Sequence, residues 1–235
     1  MEQKMNKNEN VILKPIHALF WLWIPVAFLL LQFCLEVSFS TETLSAMHSE
    51  NGPHETVQFI LLLAAFITAL ATLLKINWKT SKWLGLWVAL AAICCLYVGG
   101  EEVSWGQHFL NWSTPEYWAA INDQNETNLH NTSSWLDQKP RLILLIGVVI
   151  GGLVIPALRK SRPGLLPEKF AVIYPPASFG VMAAITLAIH IIDKASLGIF
   201  ARGSEVVELY LYYFVLMYVI VLHQRIVRQE FRRQL

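Results

Sequence analysis

Six long apolar runs constrain this chain more than any other feature; they occupy residues 18–35, 57–74, 83–100, 142–158, 177–192 and 206–222. A helix rises about 1.5 Å per residue, so crossing about 30 Å of hydrocarbon takes about 20 residues, and about 17 at least. Each run reaches that length once its flanks are included. A helix on the surface of a soluble domain would carry a polar stripe, and a membrane β-barrel would alternate polar and apolar positions. Neither pattern is present. The expected fold is all-α: a polytopic membrane bundle forming one integral domain over residues 1–235. Its six helices are expected near 18–38, 56–75, 83–102, 141–159, 176–194 and 205–224.

Composition agrees. Hydrophobic residues make up 55% and charged residues 15%, where a soluble domain has about 25% charged. Mean hydropathy is +0.45 and the net charge is +1. These values exclude intrinsic disorder, which needs low hydrophobicity and high net charge. They also disfavour a nucleic-acid partner, which calls for a basic surface. The three cysteines, Cys34, Cys94 and Cys95, lie inside apolar runs and are expected to be buried apolar side chains.

The charges are segregated. Lys4, Lys7, Lys14, Lys75, Lys79, Lys82, Arg159, Lys160, Arg162, Lys169, Arg225, Arg228, Arg232 and Arg233 flank alternate ends of the runs, 14 of the 18 basic residues. The positive-inside rule then places both termini in the cytoplasm. The first run with Ser38-Phe39-Ser40 loosely resembles a signal peptide, but it is longer than the usual apolar region of about 7–15 residues, so retention as an anchor is expected.

Thirteen of the 17 acids and five of the seven histidines fall at the opposite, outer side. Acids contribute little to orientation, so topology alone does not require this. Glu55 opens the second helix with Gln58 one turn further in, Glu101 and Glu102 close the third, His190 and Asp193 close the fifth, and Glu205 and Glu208 open the sixth. These ends lie at one depth and are expected to converge on a pocket. Adjacent carboxylates at a helix C-terminus oppose the helix dipole and repel each other, so Glu101-Glu102 needs an offsetting partner: a metal ion, Arg202, or a proton.

The longest connection, 101–140, carries Trp105, Phe109, Trp112, Tyr117, Trp118 and Trp135. Such aromatics suit a segment lying in the headgroup layer. Thr114-Pro115-Glu116 predicts the start of a short helix, with Thr114 as N-cap and Pro115 at the first helical position. If the third helix continues past Gly100, Glu101, Ser104 and His108 share a face. Glu126 and His130 stand four residues apart, which on a helix would aim a carboxylate and an imidazole the same way.

The runs Gly100-Glu101-Glu102-Val103-Ser104-Trp105-Gly106-Gln107 and Asn125-Glu126-Thr127-Asn128-Leu129-His130-Asn131, with Glu50-Asn51-Gly52-Pro53-x-Glu55, resemble an uncharacterised family of bacterial multi-pass membrane proteins. The resemblance implies the bundle and these residues, but no reaction. Ser104-x-x-x-His108 and Asp193 are also similar to parts of the zinc site of CREST hydrolases, the group of the alkaline ceramidases. Those have seven helices and a His-x-x-x-His motif, which this sequence lacks.

The function expected first is an enzyme of the bacterial inner membrane acting on membrane lipids or a lipid-linked substrate at the outer leaflet. Glu102, Glu126 and His130 are the candidate acid–base residues. Glu101, His130, His190, Glu205 and Glu208 are candidate ligands of a divalent metal ion, which would activate water or polarise a substrate oxygen. Glu55, Gln58, Ser104, Trp105, Gln107, His108, Asn128 and Asp193 are supporting candidates. Two other functions fit less well. A proton or cation transporter would carry polar groups at the midplane, where the runs offer little beyond Gln32, Cys and Thr. A non-catalytic assembly factor would use the long outer loop as its contact surface, with a protein partner the sequence does not identify.

Overall fold

The structure is a computed structural model, and the description covers residues 16–48, 52–122 and 124–234. Six of its helices are long and apolar enough to cross a membrane, as the sequence requires. They are α1 (Leu19–Ser38), α3 (Pro53–Leu73), α4 (Lys82–Glu102), α7 (Ser134–Val149, continuing to Ser161), α8 (Gly180–Lys194) and α9 (Gly203–Gln234). The short helices are α2 (Thr41–Met47), α5 (Gln107–Leu110) and α6 (Glu116–Ile121). No strand occurs among the described residues. The chain is a multi-pass membrane helix bundle.

The last helix is the axis. α9 packs mainly against α3 and α8, and Val207, Tyr210, Leu211 and Phe214 are buried along it. α1 is peripheral, with Leu30, Leu31, Phe33 and Val37 facing outward as lipid-facing residues should.

Proline sets how α1 is attached. Pro25 lacks an N–H, so a carbonyl one turn earlier loses its donor. The helix widens into a π-turn at Leu19–Trp23. The Tyr213 hydroxyl then donates to Phe20 O at 2.7 Å, and the Tyr210 hydroxyl donates to Pro25 O at 2.7 Å. A second π-turn, Ile150–Val154 in α7, stands in the same relation to Pro156. It carries Gly152, where an added Cβ would overlap Ala183 of α8. Small residues there let the two helices touch closely.

The bundle has a basic end and an acidic end. At the basic end, Arg225 donates to Val172 O at 2.9 Å and to Tyr174 O at 2.5 Å, tying the 162–179 connection to α9. Lys4, Lys7 and Lys14 lie outside the described residues, as do Glu50 and Asn51 of the motif before α3. At the acidic end, α3, α4 and the start of α9 meet the 101–140 segment.

Candidate functional site

Two sequence motifs fold onto each other at the acidic end. α4 stops at Glu102, and Ser104, Trp105 and Gly106 then turn the chain with φ of 44°, 55° and 96°. Gly100 has no Cβ, which leaves room for the Trp105 ring to fold back over α4 (an added Cβ would meet it at 2.8 Å). The Trp105 indole donates to Glu101 Oε1 at 2.6 Å. Glu101 Oε2 accepts the backbone N–H of Leu129 at 2.7 Å and of His130 at 2.8 Å. These donors are the offset that a carboxylate at a helix C-terminus needs.

The rest of the motif pairs in the same way. The Ser104 hydroxyl donates to Glu126 Oε2 at 2.5 Å. Asn128 donates to Ser104 Oγ and to Glu126 Oε2, both at 2.8 Å. Gln107 Oε1 accepts from Thr127 N at 2.8 Å and from its hydroxyl at 2.6 Å, while Gln107 Nε2 donates to Thr114 Oγ1 at 2.8 Å. Glu101, Ser104, Glu126 and Asn128 are all buried. Glu126, Asn128, Gln107 and Ser104 therefore hold the loop together from inside.

Glu126 and His130 do not share a helix face, because 124–129 is irregular. Asn122 Oδ1 accepts from Gln124 N at 2.9 Å and from Glu126 N at 3.2 Å, a side-chain competitor to helical bonding. Nor does α4 continue to align Glu101, Ser104 and His108, since the left-handed residues intervene. His108 falls in α5, and its side chain is outside the described residues. The predicted short helix is present as α6, with Pro115 one place earlier, at the cap.

Beside this unit lies a cavity of about 210 Å³. It is lined by Glu55 of α3, Glu102 of α4, Gln124, His130 and Asn131 of the loop, Arg141 of α7, and Arg202, Ser204, Glu205 and Glu208 at the start of α9. Five of the residues expected to converge do so: Glu55, Glu102, His130, Glu205 and Glu208. Glu102 accepts the Tyr212 hydroxyl at 2.8 Å. Arg141 Nε meets Glu208 Oε1 at 2.6 Å, with both side chains largely buried. His130 Nδ1 is 3.6 Å from Glu101 Oε2, and His130 also lines the cavity.

The other candidates stand apart from the cavity. His190 and Asp193 do not line it; Asp193 pairs loosely with Lys194 at 3.8 Å and packs on Gly203. Gln58 is fully buried below it and donates to Glu205 O at 3.1 Å. No group of three His, Cys, Asp or Glu residues is placed to hold a metal ion among the described residues.

Residues not anticipated from the sequence include Arg141 and Tyr212, while Arg202, expected as a possible partner of Glu101-Glu102, lines the cavity with Glu102. Arg141 and Arg202 are two of only four basic residues on the acidic side, and that exception was their signal. A polar cluster at the foot of α1 was also unforeseen. Gln32 donates to Glu36 at 2.8 Å and to His48 Nε2 at 3.2 Å, and Glu36 accepts Ala201 N at 3.1 Å. His48 stacks on His54 with ring centroids 4.3 Å apart, His54 reaches Glu205 O at 3.2 Å, and Arg202 donates to His48 O at 2.9 Å. Burial holds the His48 imidazole below its ordinary proton affinity, against the opposing pull of Glu205 and Glu36.

The class that fold and site define is a six-span membrane bundle with a mixed-charge cavity at one end. Comparison with protein-family models, curated proteins and solved structures gives no match.

Proposed function

We propose that this protein is a hydrolase or transferase that takes the polar headgroup of a membrane lipid into the cavity, at the outer leaflet of a bacterial inner membrane. One observation carries the proposal. A polar cavity with carboxylates, guanidiniums and an imidazole sits at the ends of membrane-spanning helices, beside a loop whose Trp105, Phe109, Leu110, Trp112, Tyr117 and Trp135 are exposed. Exposed aromatics at a membrane boundary place a surface at headgroup depth.

In this proposal His130 is the general base. Glu101 would orient it, and the imidazole would take the proton of an attacking hydroxyl, as in carboxylate–imidazole pairs generally. The 3.6 Å separation would shorten when substrate excludes water. Glu102, steadied by Tyr212, would give a proton to the leaving oxygen. Arg141 and Arg202 would counter the charge developing on a phosphate or ester oxygen. Glu126 is assigned to holding the loop.

The test is purified protein in vesicles of defined phospholipids, with products followed by mass spectrometry. Wild type is expected to convert one lipid, and His130→Ala and Glu102→Gln to lose at least about 100-fold in rate. No lipid retained and no product formed by the wild-type protein would overturn the proposal.

A further inference from the structure

Two polar side chains on one face of α1 hold its outer end to two separate segments of the chain. Leu30, Leu31, Phe33 and Val37 of this helix are exposed, while Gln32 is buried against His48, the residue that caps α2. Gln32 Nε2 donates to Glu36 Oε1 at 2.8 Å and to His48 Nε2 at 3.2 Å. Both Glu36 oxygens lie within hydrogen-bond distance of the backbone N–H of Ala201, just ahead of α9, at 3.2 and 3.1 Å.

The hydrogen-bond directions fix the protonation state of His48. An ionised carboxylate only accepts, so Glu36 sets which end of the Gln32 amide faces it, and that end is the NH2. The same NH2 meets His48 Nε2, which must then be an acceptor. His48 is therefore neutral, with its proton on Nδ1, and Nδ1 is buried with no hydrogen-bond partner among the described residues. The closed cluster thus carries an unmet donor, which is unfavourable, and it is poised rather than locked.

A proton on Nε2 turns that acceptor into a donor. If Gln32 keeps its orientation, two donors oppose each other and His48 parts from α1. If Gln32 turns over, its Oε1 accepts from His48 but lies against Glu36 Oε1, and the carboxylate is driven away from Ala201 N. Either way the outer end of α1 loses a link to a neighbouring segment. We infer that these residues form a proton-operated clasp, closed when His48 is neutral and open when it is protonated, which fastens α1 to the rim of the cavity. The rim is reached through Arg202, which follows Ala201, lines the cavity and donates to His48 O at 2.9 Å. The clasp needs no reaction in the cavity to operate.

The charges around His48 are mixed. Among the described residues, Glu36 of α1 and Glu205 of α9 favour its protonation and Arg202 opposes it. The His54 ring of α3 stacks on it with centroids 4.3 Å apart, so a charge on one imidazole disfavours a charge on the other. Burial is the largest influence and keeps the proton affinity of His48 below the ordinary value of 6.5. Opening returns the ring to water, where it binds a proton near that value. The closed state is therefore favoured above pH of about 6.5 and loses up to about 10-fold against the open state by pH 5.5.

The experiment is hydrogen exchange of the full-length protein in detergent at pH 7.5 and 5.5, with labelling times scaled for the pH dependence of chemical exchange. Peptides covering 41–48 and 199–203 report. Faster exchange in the first marks His48 parting from α1, since a helix as short as α2 depends on its tertiary contacts; faster exchange in the second marks Glu36 leaving Ala201. Wild type is expected to lose protection about 5–10-fold in at least one of them at pH 5.5, with 207–222 of α9 unchanged.

His48→Gln keeps an acceptor for Gln32 and takes up no proton, and its exchange should not respond to pH. His54→Gln keeps a donor for Glu205 O and should respond as wild type does. Should His48→Gln not fold, Gln32→Met removes the amide that opposes the protonated ring, and the same flat response is expected. Exchange in wild type that is independent of pH in both peptides overturns the clasp. A response of equal size in His48→Gln, or in Gln32→Met, overturns it as well, in favour of another titrating group.

Discussion

Replacing Glu101 by Gln tests whether one carboxylate locks the two motifs together. The side chain accepts three hydrogen bonds, from the Trp105 indole on Oε1 at 2.6 Å and from Leu129 N and His130 N on Oε2 at 2.7 and 2.8 Å. An amide has one acceptor oxygen. Turned to keep the two backbone donors, Gln sets its own NH2 against the indole N–H; turned the other way, it opposes two donors at once. The first arrangement is the smaller loss. It removes one bond to a charged acceptor, about 1.5–3 kcal/mol, and weakens two others from charged to neutral strength, about 1 kcal/mol each. Rearrangement of the half-exposed His130 recovers part of this, leaving about 3 kcal/mol of local stability lost. At about 1.4 kcal/mol per tenfold, the Leu129 and His130 amides should exchange with deuterium about 100-fold faster. Hydrogen-exchange mass spectrometry of peptides covering 126–133 reads this directly, with 207–222 of α9 as the unchanged internal reference. Should the variant not fold, Trp105→Phe removes only the indole donor, and a smaller acceleration, about 10-fold, is expected. A folded Glu101→Gln protein with unchanged exchange at Leu129 and His130 would refute the lock.

Arg141→Met leaves Glu208 buried without its partner and should cost about 3–5 kcal/mol, most of it restored in Arg141→Met/Glu208→Leu; thermal unfolding in detergent measures both. Gly152→Val forces a side chain into Ala183 and should destabilise the α7–α8 contact by about 1–3 kcal/mol, read as a lowered unfolding midpoint. His48 has a folded proton affinity below its unfolded one, so the unfolded chain binds the proton first. Its contribution to stability is therefore complete above the ordinary imidazole value of about 6.5 and is lost as pH falls below it. The wild-type unfolding midpoint should drop between pH 7.5 and 5.5 more than that of His48→Gln, a difference visible in paired melting curves.

The six spans were legible because a continuous apolar run is a local property that the bilayer enforces. Their ends were less so. α3 begins at Pro53, where the proline suits a first turn, and α9 runs far past the apolar stretch as its Arg-bearing tail stays helical. The acids of the cavity could be sorted to one end from charge segregation alone. Which acid serves which role could not, because that depends on contacts between distant segments: Arg141 with Glu208, Glu102 with Tyr212, Glu101 with Leu129 and His130. The four-residue spacing of Glu126 and His130 misled for a physical reason. Asn122 and Asn128 take the local hydrogen bonds a helix would use, so the spacing has no helical meaning there.

Glu101 and Glu102 divide two tasks because successive helix positions point about 100° apart. At the last turn of α4 that angle sends one carboxylate towards the 128–131 backbone and the other towards α9 and the cavity. His130 connects them: its backbone N–H is held by Glu101 and its ring lines the cavity that contains Glu102. Releasing the Leu129 and His130 amides from Glu101 would therefore withdraw the imidazole while Glu102, tied to Tyr212 on the axial helix, stays in place. Under the proposed function, releasing the loop and withdrawing the base would therefore be one event, set by the hydrogen bonds that Glu101 accepts.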